Sequence, residues 1–485
     1  MNNYYDVVRR MACLSLVGIL SACGGGGLDT PASTDVPLEQ AASNDYFGPL
    51  PFELAPLAAP DDVWSMCIDL REKQYVRSLL DWYYLWPDQV QTRDPRDYSD
   101  VHGYFQAILA PDLDRFSYSI SIEEADLSEA SQYLGVGFRA QEVATGEVRL
   151  SHVEPNSPAA LAGLKRGDTV VEWSSNLYEA NATAPYYFDL TYHRVGQAGQ
   201  TTVQMTPEIV NADPVGSFQT LAVDGRKVGY LPFESHFGDA QDQLIEAMRQ
   251  AQDDGIQDLV LDLRYNGGGY LSIAASLASM LVPADKVDQR PVFESYVFND
   301  YLQDFLGEDP LRFASSVLVA ESGAKFPFGT QLPNLNLNRV YVLTSDGTCS
   351  ASESVINGLR GIDVDVHIIG GTTCGKPYGM FRDDNCGNAF YPIVLQGVNA
   401  KGEGDYVDGF NPTCSVADDL DHERGDPDEG MLSAALHQIS TGSCPVPAPV
   451  FARFARVGPQ SAPRSVLNLV ELQRKQPQVA LIKPR

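Results

Sequence analysis

Two neighbouring stretches decide the fold: VYVLTSDGTCSASESVINGLRG, residues 340–361, and VHIIGGTTCGKPYG, residues 366–379. Each opens on an apolar run, 340–343 and 366–369, with the length and composition of a buried strand. After the first run, small residues turn the chain into a helix with Ser350 at its start. After the second, a glycine-rich turn ends at Lys376. A helix start presents unpaired N–H groups and the positive end of the helix dipole, which favour developing negative charge. A serine there, with a lysine delivered by the next strand and turn, suits a nucleophilic pair in which a desolvated, neutral lysine is the base. The same local pattern also fits a capping serine and a solvated loop lysine.

Upstream, residues 259–263 (LVLDL) read as another buried strand, followed by the turn RYNGGG at 264–269 and a helix over 272–281. A further helix is expected over 241–252, and strands over 201–204 and 228–233. Strands alternating with helices argue for an α/β core with largely parallel pairing. The triple glycine lets the backbone approach a ligand and present N–H groups. It lacks the Gly-Lys-Ser/Thr ending of a phosphate loop. His236 lies near the end of the strand preceding the 241–252 helix, in Phe233-Glu234-Ser235-His236-Phe237.

Residues 133–138 (YLGVGF) read as a strand opening with a glycine-containing loop, followed by VRLSHVEPNSPAALAGLKRGDTVVEWSS at 148–175. This resembles a PDZ domain. The N–H groups of a loop formed by Leu134, Gly135, Val136, Gly137 and Phe138 would capture a carboxylate, and the adjacent strand edge would add an extended peptide. A PDZ used only as a structural wedge is the alternative.

With that domain, DLRYNGGG, TCSASE and GGTTCGK in this order, the chain resembles the carboxyl-terminal processing (tail-specific) serine peptidases over residues 133–436. The resemblance implies a mixed α/β (α+β) fold: an N-terminal helical region, a PDZ domain and an α/β protease core of the ClpP/crotonase-like type. It makes Ser350 the nucleophile and Lys376 the base, with an oxyanion hole from the Ala351 N–H and an N–H of the glycine turn, Gly268. Glu353, one helical turn beyond Ser350, would orient the site or simply favour the helix start. Three positions depart from the family pattern. Lys376 follows Ser350 by 26 residues, one more than expected; Met380 stands where a glutamine is usual; and His236 sits near, but not at, the position of a histidine base in the tricorn-type branch. A Ser-His arrangement with Lys376 in support is the resulting rival. A non-catalytic peptide- or ligand-binding protein on the same scaffold is another.

The remaining features frame this core. Arg9 and Arg10 precede an apolar run over 11–20 and then Leu20-Ser21-Ala22-Cys23, which looks like a bacterial lipobox. Cys23 would be lipidated and Gly24 would direct the chain to the outer membrane, giving a periplasmic, lipid-anchored protein. The divisions are then 1–22 signal peptide, 23–60 flexible tether rich in Gly, Ala, Pro and Ser, 61–130 helical region, 131–210 PDZ, 211–444 peptidase core and 445–485 tail. A formal net charge of −30 argues against nucleic acid or an anionic membrane surface as partner. The expected partners are polypeptide substrates and the lipid anchor; the sequence leaves the oligomeric state open. Eight cysteines are present; Cys13 leaves with the signal and Cys23 is lipidated. Six then remain for disulfides in an oxidising compartment, with Cys349–Cys374 and Cys386–Cys414 the favoured pairings. With no CxxC and no histidine at ligand spacing, no metal is expected, and the chemistry needs no cofactor. The acidic run at 418–423 reads as a solvated turn rather than a calcium loop.

Overall fold

The structure is a computed structural model. It describes residues 67–446 (except 144–145, 178–184, 307–308 and 321–322) together with 466, 468–470 and 480–481. The expected signal peptide, the tether and the lipidation site at Cys23 lie outside the described residues. No helix among the described residues is long and apolar enough to cross a membrane.

A six-stranded sheet organises the fold, in the order Cys414–Ser415, Asp365–Gly370, Arg339–Thr344, Asp258–Asp262, Arg226–Pro232, Gln219–Val223. All pairings are parallel except that of the last edge strand. The inner strands are mostly apolar because both faces are covered: Val260, Tyr341, Leu343 and Ile369 are buried with Met431, Leu432 and Ala435 of helix Gly430–Thr441 on one side. On the other, Leu259, Leu261, Val340 and Val342 pack with residues of Ala240–Asp254, Leu271–Leu281 and Ala351–Gly361. The fold is therefore mixed α/β.

The N-terminal part contributes helix Asp69–Tyr83, helix Val101–Ile108 and a capped helix Ile122–Glu129. It is not helical throughout, since Tyr118–Ser121 pairs with Asn388–Tyr391. The first helix stops at Tyr83, because the Tyr84 backbone is extended.

Residues 132–211 build a unit with its own apolar core. Five antiparallel strands follow one another (Phe138–Glu142, Val148–Val153, Thr169–Ser175, Phe188–His193, Thr201–Met205), and Gln132–Gly135 pairs with Glu208–Asn211 at its base. The single strand expected over 133–138 is thus two, because the backbone turns at Val136–Gly137.

That unit is bound to the main body by buried charge. The acidic run is solvated only in its second half: Asp421, His422 and Glu423 are exposed, whereas Asp418 turns inward. Asp418 is largely buried and takes Arg166 of the β unit at 2.6 Å, Arg264 of the core at 2.8 Å and the Tyr265 hydroxyl. Arg149 reaches Asp421 at 2.8 Å and Arg139 holds the Tyr265 carbonyl at 2.7 Å. A three-to-four-residue spacing cannot reveal partners more than 150 positions away, which is why the run reads as solvated. Burial pushes the Asp418 carboxyl up, but Arg166 and Arg264 outweigh it and hold it at about 2. Because this folded value is depressed, its stabilisation is fully present above about pH 4 and lost as pH falls toward 2. Asp418→Asn is expected to lower stability by about 2 kcal/mol at pH 7 and by much less at pH 2, measured by urea unfolding at both.

The six cysteines pair as Cys67–Cys386, Cys349–Cys374 and Cys414–Cys444. The expected Cys386–Cys414 bond is not formed. Cys386 turns the hairpin between Asp383–Asn385 and Asn388–Tyr391, beside the first helix, where Asn388 reaches Glu72. Cys414 lies instead on the edge of the central sheet, next to the exit of helix Gly430–Thr441.

Candidate active site

Strand Arg339–Thr344 feeds helix Ala351–Gly361 through a tight turn, and Ser350 stands at the junction with φ 61° and ψ −116°. A non-glycine residue in this conformation stores roughly 1–3 kcal/mol of strain, which persists where the surroundings over-determine it. Here they do: the Cys349 N–H bonds the Asn266 carbonyl at 3.1 Å and Ser352 Oγ bonds the same oxygen at 3.1 Å. Ser350 is 1 % exposed, and its Oγ makes no hydrogen bond among the described residues. The Ala351 N–H follows at the first helical position, where it has no intrahelical acceptor.

The second strand, Asp365–Gly370, delivers the Thr372–Lys376 turn to the same place. Glu353 joins the two. Its Oε2 accepts the Ser350 N–H at 2.9 Å and the Lys376 N–H at 2.8 Å, while Oε1 accepts the Gly375 N–H at 2.9 Å and the Thr373 hydroxyl at 2.5 Å. Serine and lysine are thus held by one carboxylate oxygen, and Cys349–Cys374 ties their neighbours covalently. Gly375 is required in this turn: its φ is 82°, and a Cβ there would stand 2.2 Å from the Val407 carbonyl oxygen. Burial raises the Glu353 carboxyl above its ordinary range, opposed by the four donors it accepts.

Lys376 is 1 % exposed. Its Nζ lies 3.4 Å from Met380 Sδ and 5.4 Å from the centre of the Phe116 ring. A thioether and an aromatic face solvate an ammonium far less well than water does. Burial accordingly lowers the amine to about 7, against the opposing pull of Asp114 and Glu353. Met380 thus puts a soft apolar contact where an orienting amide is usual. The N-terminal segment supplies the rest of this wall: Asp114 accepts the Phe116 and Ser117 N–H groups and the Tyr84 hydroxyl, fixing Phe116 beside the amine.

His236 is also in the site, fully buried at the edge of the glycine turn. Its N–H bonds the Gly268 carbonyl at 2.9 Å, and its Nδ1 lies 3.1 Å from Asn266 Oδ1. That oxygen already accepts the Gly268 N–H at 3.0 Å, and the Asn266 amide nitrogen donates to Phe233 O at 2.9 Å. The Asn266 orientation assigns the proton to Nδ1, leaving Nε2 as a bare acceptor with no partner among the described residues. Burial drives the imidazole down to about 3, so it is neutral at all ordinary pH. The Gly268 N–H is occupied by Asn266, so an oxyanion role requires that bond to be released or shared. Gly269, with φ 135°, lets the turn pass His236 at a separation no side chain would allow.

The loop read as carboxylate-binding divides between two strands. Leu134 is exposed, whereas Gly135, Val136, Gly137 and Phe138 are buried. The carbonyls of Val136 and Gly137 accept from Ala159 and Glu154, both at 2.8 Å. The residues missed by sequence reasoning are Asn266, Thr373, Asp114 and Phe116. Asn266 and Thr373 lie inside the quoted motifs RYNGGG and GGTTCGK, whereas Asp114 and Phe116 had no local signal.

A strained serine and a buried lysine on a parallel α/β core define a fold of the serine-peptidase type. The family model for peptidase family S41 matches residues 227–382, and that for the peptidase S41 N-terminal domain matches 71–118. Peptidase family S41 is thus matched over the catalytic region and the N-terminal segment. The chain is 27 % identical over 225 residues to a carboxyl-terminal-processing protease of Picosynechococcus sp., covering 43 % of this chain and 53 % of that one. To the chloroplastic carboxyl-terminal-processing peptidase 1 of Arabidopsis thaliana it is 24 % identical, covering 40 % and 43 %. The chain spans about half the length of the curated relatives it matches. A crystal structure from Bacteroides fragilis, described as that of an S41 protease, superposes with a TM-score of 0.60 at 26 % identity, over 76 % of this chain and 97 % of the other.

Proposed function

We propose that this chain is a serine endopeptidase that cleaves polypeptides through an acyl-enzyme, with Ser350 as nucleophile and Lys376 as general base. The observation behind the reading is the shared Glu353 carboxylate, which holds an unpartnered serine hydroxyl near a lysine whose amine sits at about 7. Neutral Lys376 takes the Ser350 proton, Oγ attacks the scissile carbonyl, and the Ala351 N–H, with Gly268 once released, receives the oxyanion. Lys376 then protonates the leaving amine, and water hydrolyses the ester.

His236 favours a second reading, because its Nε2 is buried, bare and in the tautomer a base requires. The lysine is the better supported base: a base is most effective with a pKa near the working pH, and about 3 is less suited than about 7. The β unit of residues 132–211 is proposed to act as a PDZ domain presenting C-terminal or unfolded segments. The N-terminal sequence supports lipidation at Cys23 and a periplasmic location at the outer membrane.

The test is hydrolysis of casein together with labelling by a serine-directed covalent probe. Both are expected in the wild type and neither in Ser350→Ala. A folded wild type that takes no label favours a peptide-binding protein on a peptidase scaffold.

A further inference from the structure

The second six-stranded sheet runs Gly269–Tyr270, Ala480–Leu481, Tyr378–Met380, Ile393–Val398, Val292–Phe298, Leu311–Arg312. Its second member comes from the far end of the chain. Ala480 pairs in parallel with Gly269, and Leu481 with both Tyr270 and Met380. Gly269 closes the glycine turn and is bridged on its other edge to His236; Met380 is the residue in contact with Lys376. The late segment therefore fills the gap between the two walls of the site and, among the described residues, is the only link between them in this sheet. A gap with backbone donors and acceptors on both sides is what an extended peptide needs to add as a strand.

The same tail makes a second contact. Val466, Leu469 and Val470 are helical and buried, at 0 %, 0 % and 5 % exposure, in the apolar cluster containing Val136, Phe138 and Leu150 of the β unit. Nine residues separate Val470 from Ala480, enough to span about 30 Å when extended. One segment thus reaches both surfaces assigned to polypeptide.

We infer that the gap between Gly269–Tyr270 and Tyr378–Met380 is the seat of an extended substrate strand, running parallel to both, and that residues 480–481 are its resident occupant, competing with substrate. This deepens the peptidase reading and rests on it for the identity of the ligand. The prediction is that emptying the seat raises both peptide binding and turnover.

The test uses the full chain with Ala480→Pro and Leu481→Pro together, which removes both backbone donors of the strand without touching the buried helix contact. In a Ser350→Ala background, where nothing is cleaved, a labelled synthetic peptide of residues 476–485 is titrated by fluorescence anisotropy. The proline variant is expected to bind it at least tenfold more tightly than the unaltered tail does, and to ignore the same peptide carrying the two prolines. With Ser350 intact, casein hydrolysis is expected to rise at least fivefold. Equal binding by both chains, or binding by neither, overturns the inference whatever hydrolysis shows. Tighter binding without hydrolysis by either Ser350-bearing chain upholds the seat and overturns the peptidase reading instead.

Discussion

Replacing Lys376 by methionine is expected to abolish peptide hydrolysis, by at least about 10³-fold in kcat/KM, and at the same time to make the protein more stable. Both effects arise from one cause. Burial lowers the amine from the ordinary lysine range to about 7, so the unfolded chain binds a proton there more readily than the folded one. The penalty is fully present below pH 7 and is relieved as pH rises toward the unfolded value of about 10.4. A neutral thioether carries none of it. Lys376→Met should therefore stabilise by roughly 4 kcal/mol at pH 6 and by little at pH 10, read from urea unfolding at the two values. Stability spent on a catalytic group is what an active site requires and a structural lysine does not.

The pH profile of the wild type separates the two candidate bases. With Lys376 as base, kcat/KM falls about tenfold per unit below pH 7 and levels off above pH 8. With His236, the acid limb lies near pH 3 and activity is flat through neutrality. A flat profile between pH 5 and 8, with substantial turnover left in Lys376→Met, would sink the Ser-Lys assignment and promote the histidine.

What was legible in the sequence follows from where the interactions lie along the chain. The strand-turn-helix around Ser350 and the strand-turn to Lys376 are local patterns of apolar runs and glycines, and they form as read. Neighbouring cysteines beside both residues likewise made Cys349–Cys374 the natural pair. Apart from the local break at Val136–Gly137, the misreadings are long-range. Cys67–Cys386 spans 319 residues, and Asp418 finds Arg166 across the gap between two folding units. Phe116 stands beside Lys376 from a segment over 250 positions earlier. Periodicity reports which face of an element is apolar; it holds no information about which distant loop will cover a lysine.

Glu353 yields the other large effect, because it touches no reacting atom yet holds both reacting residues. Removing it in Glu353→Ala leaves the N–H groups of Ser350, Gly375 and Lys376 buried without an acceptor. At about 1–3 kcal/mol each, the loss should exceed about 3 kcal/mol and lower Tm by roughly 5 °C or more. Glu353→Gln keeps the shape but turns an NH2 toward two donors, so it relieves only part of the defect. Activity in the glutamine variant is expected to fall at least about 10²-fold through kcat with KM little changed, because the serine and lysine lose their register while the substrate seat is untouched. A merely structural residue could produce that much. The distinguishing readout is the residual pH profile. The Glu353 charge helps hold the Lys376 amine up against burial, so neutralising it lets the amine drop further and moves the acid limb below pH 7. An unshifted limb would assign Glu353 to the scaffold alone; a downward shift would make it the positioning residue through which the fold sets the basicity of the lysine.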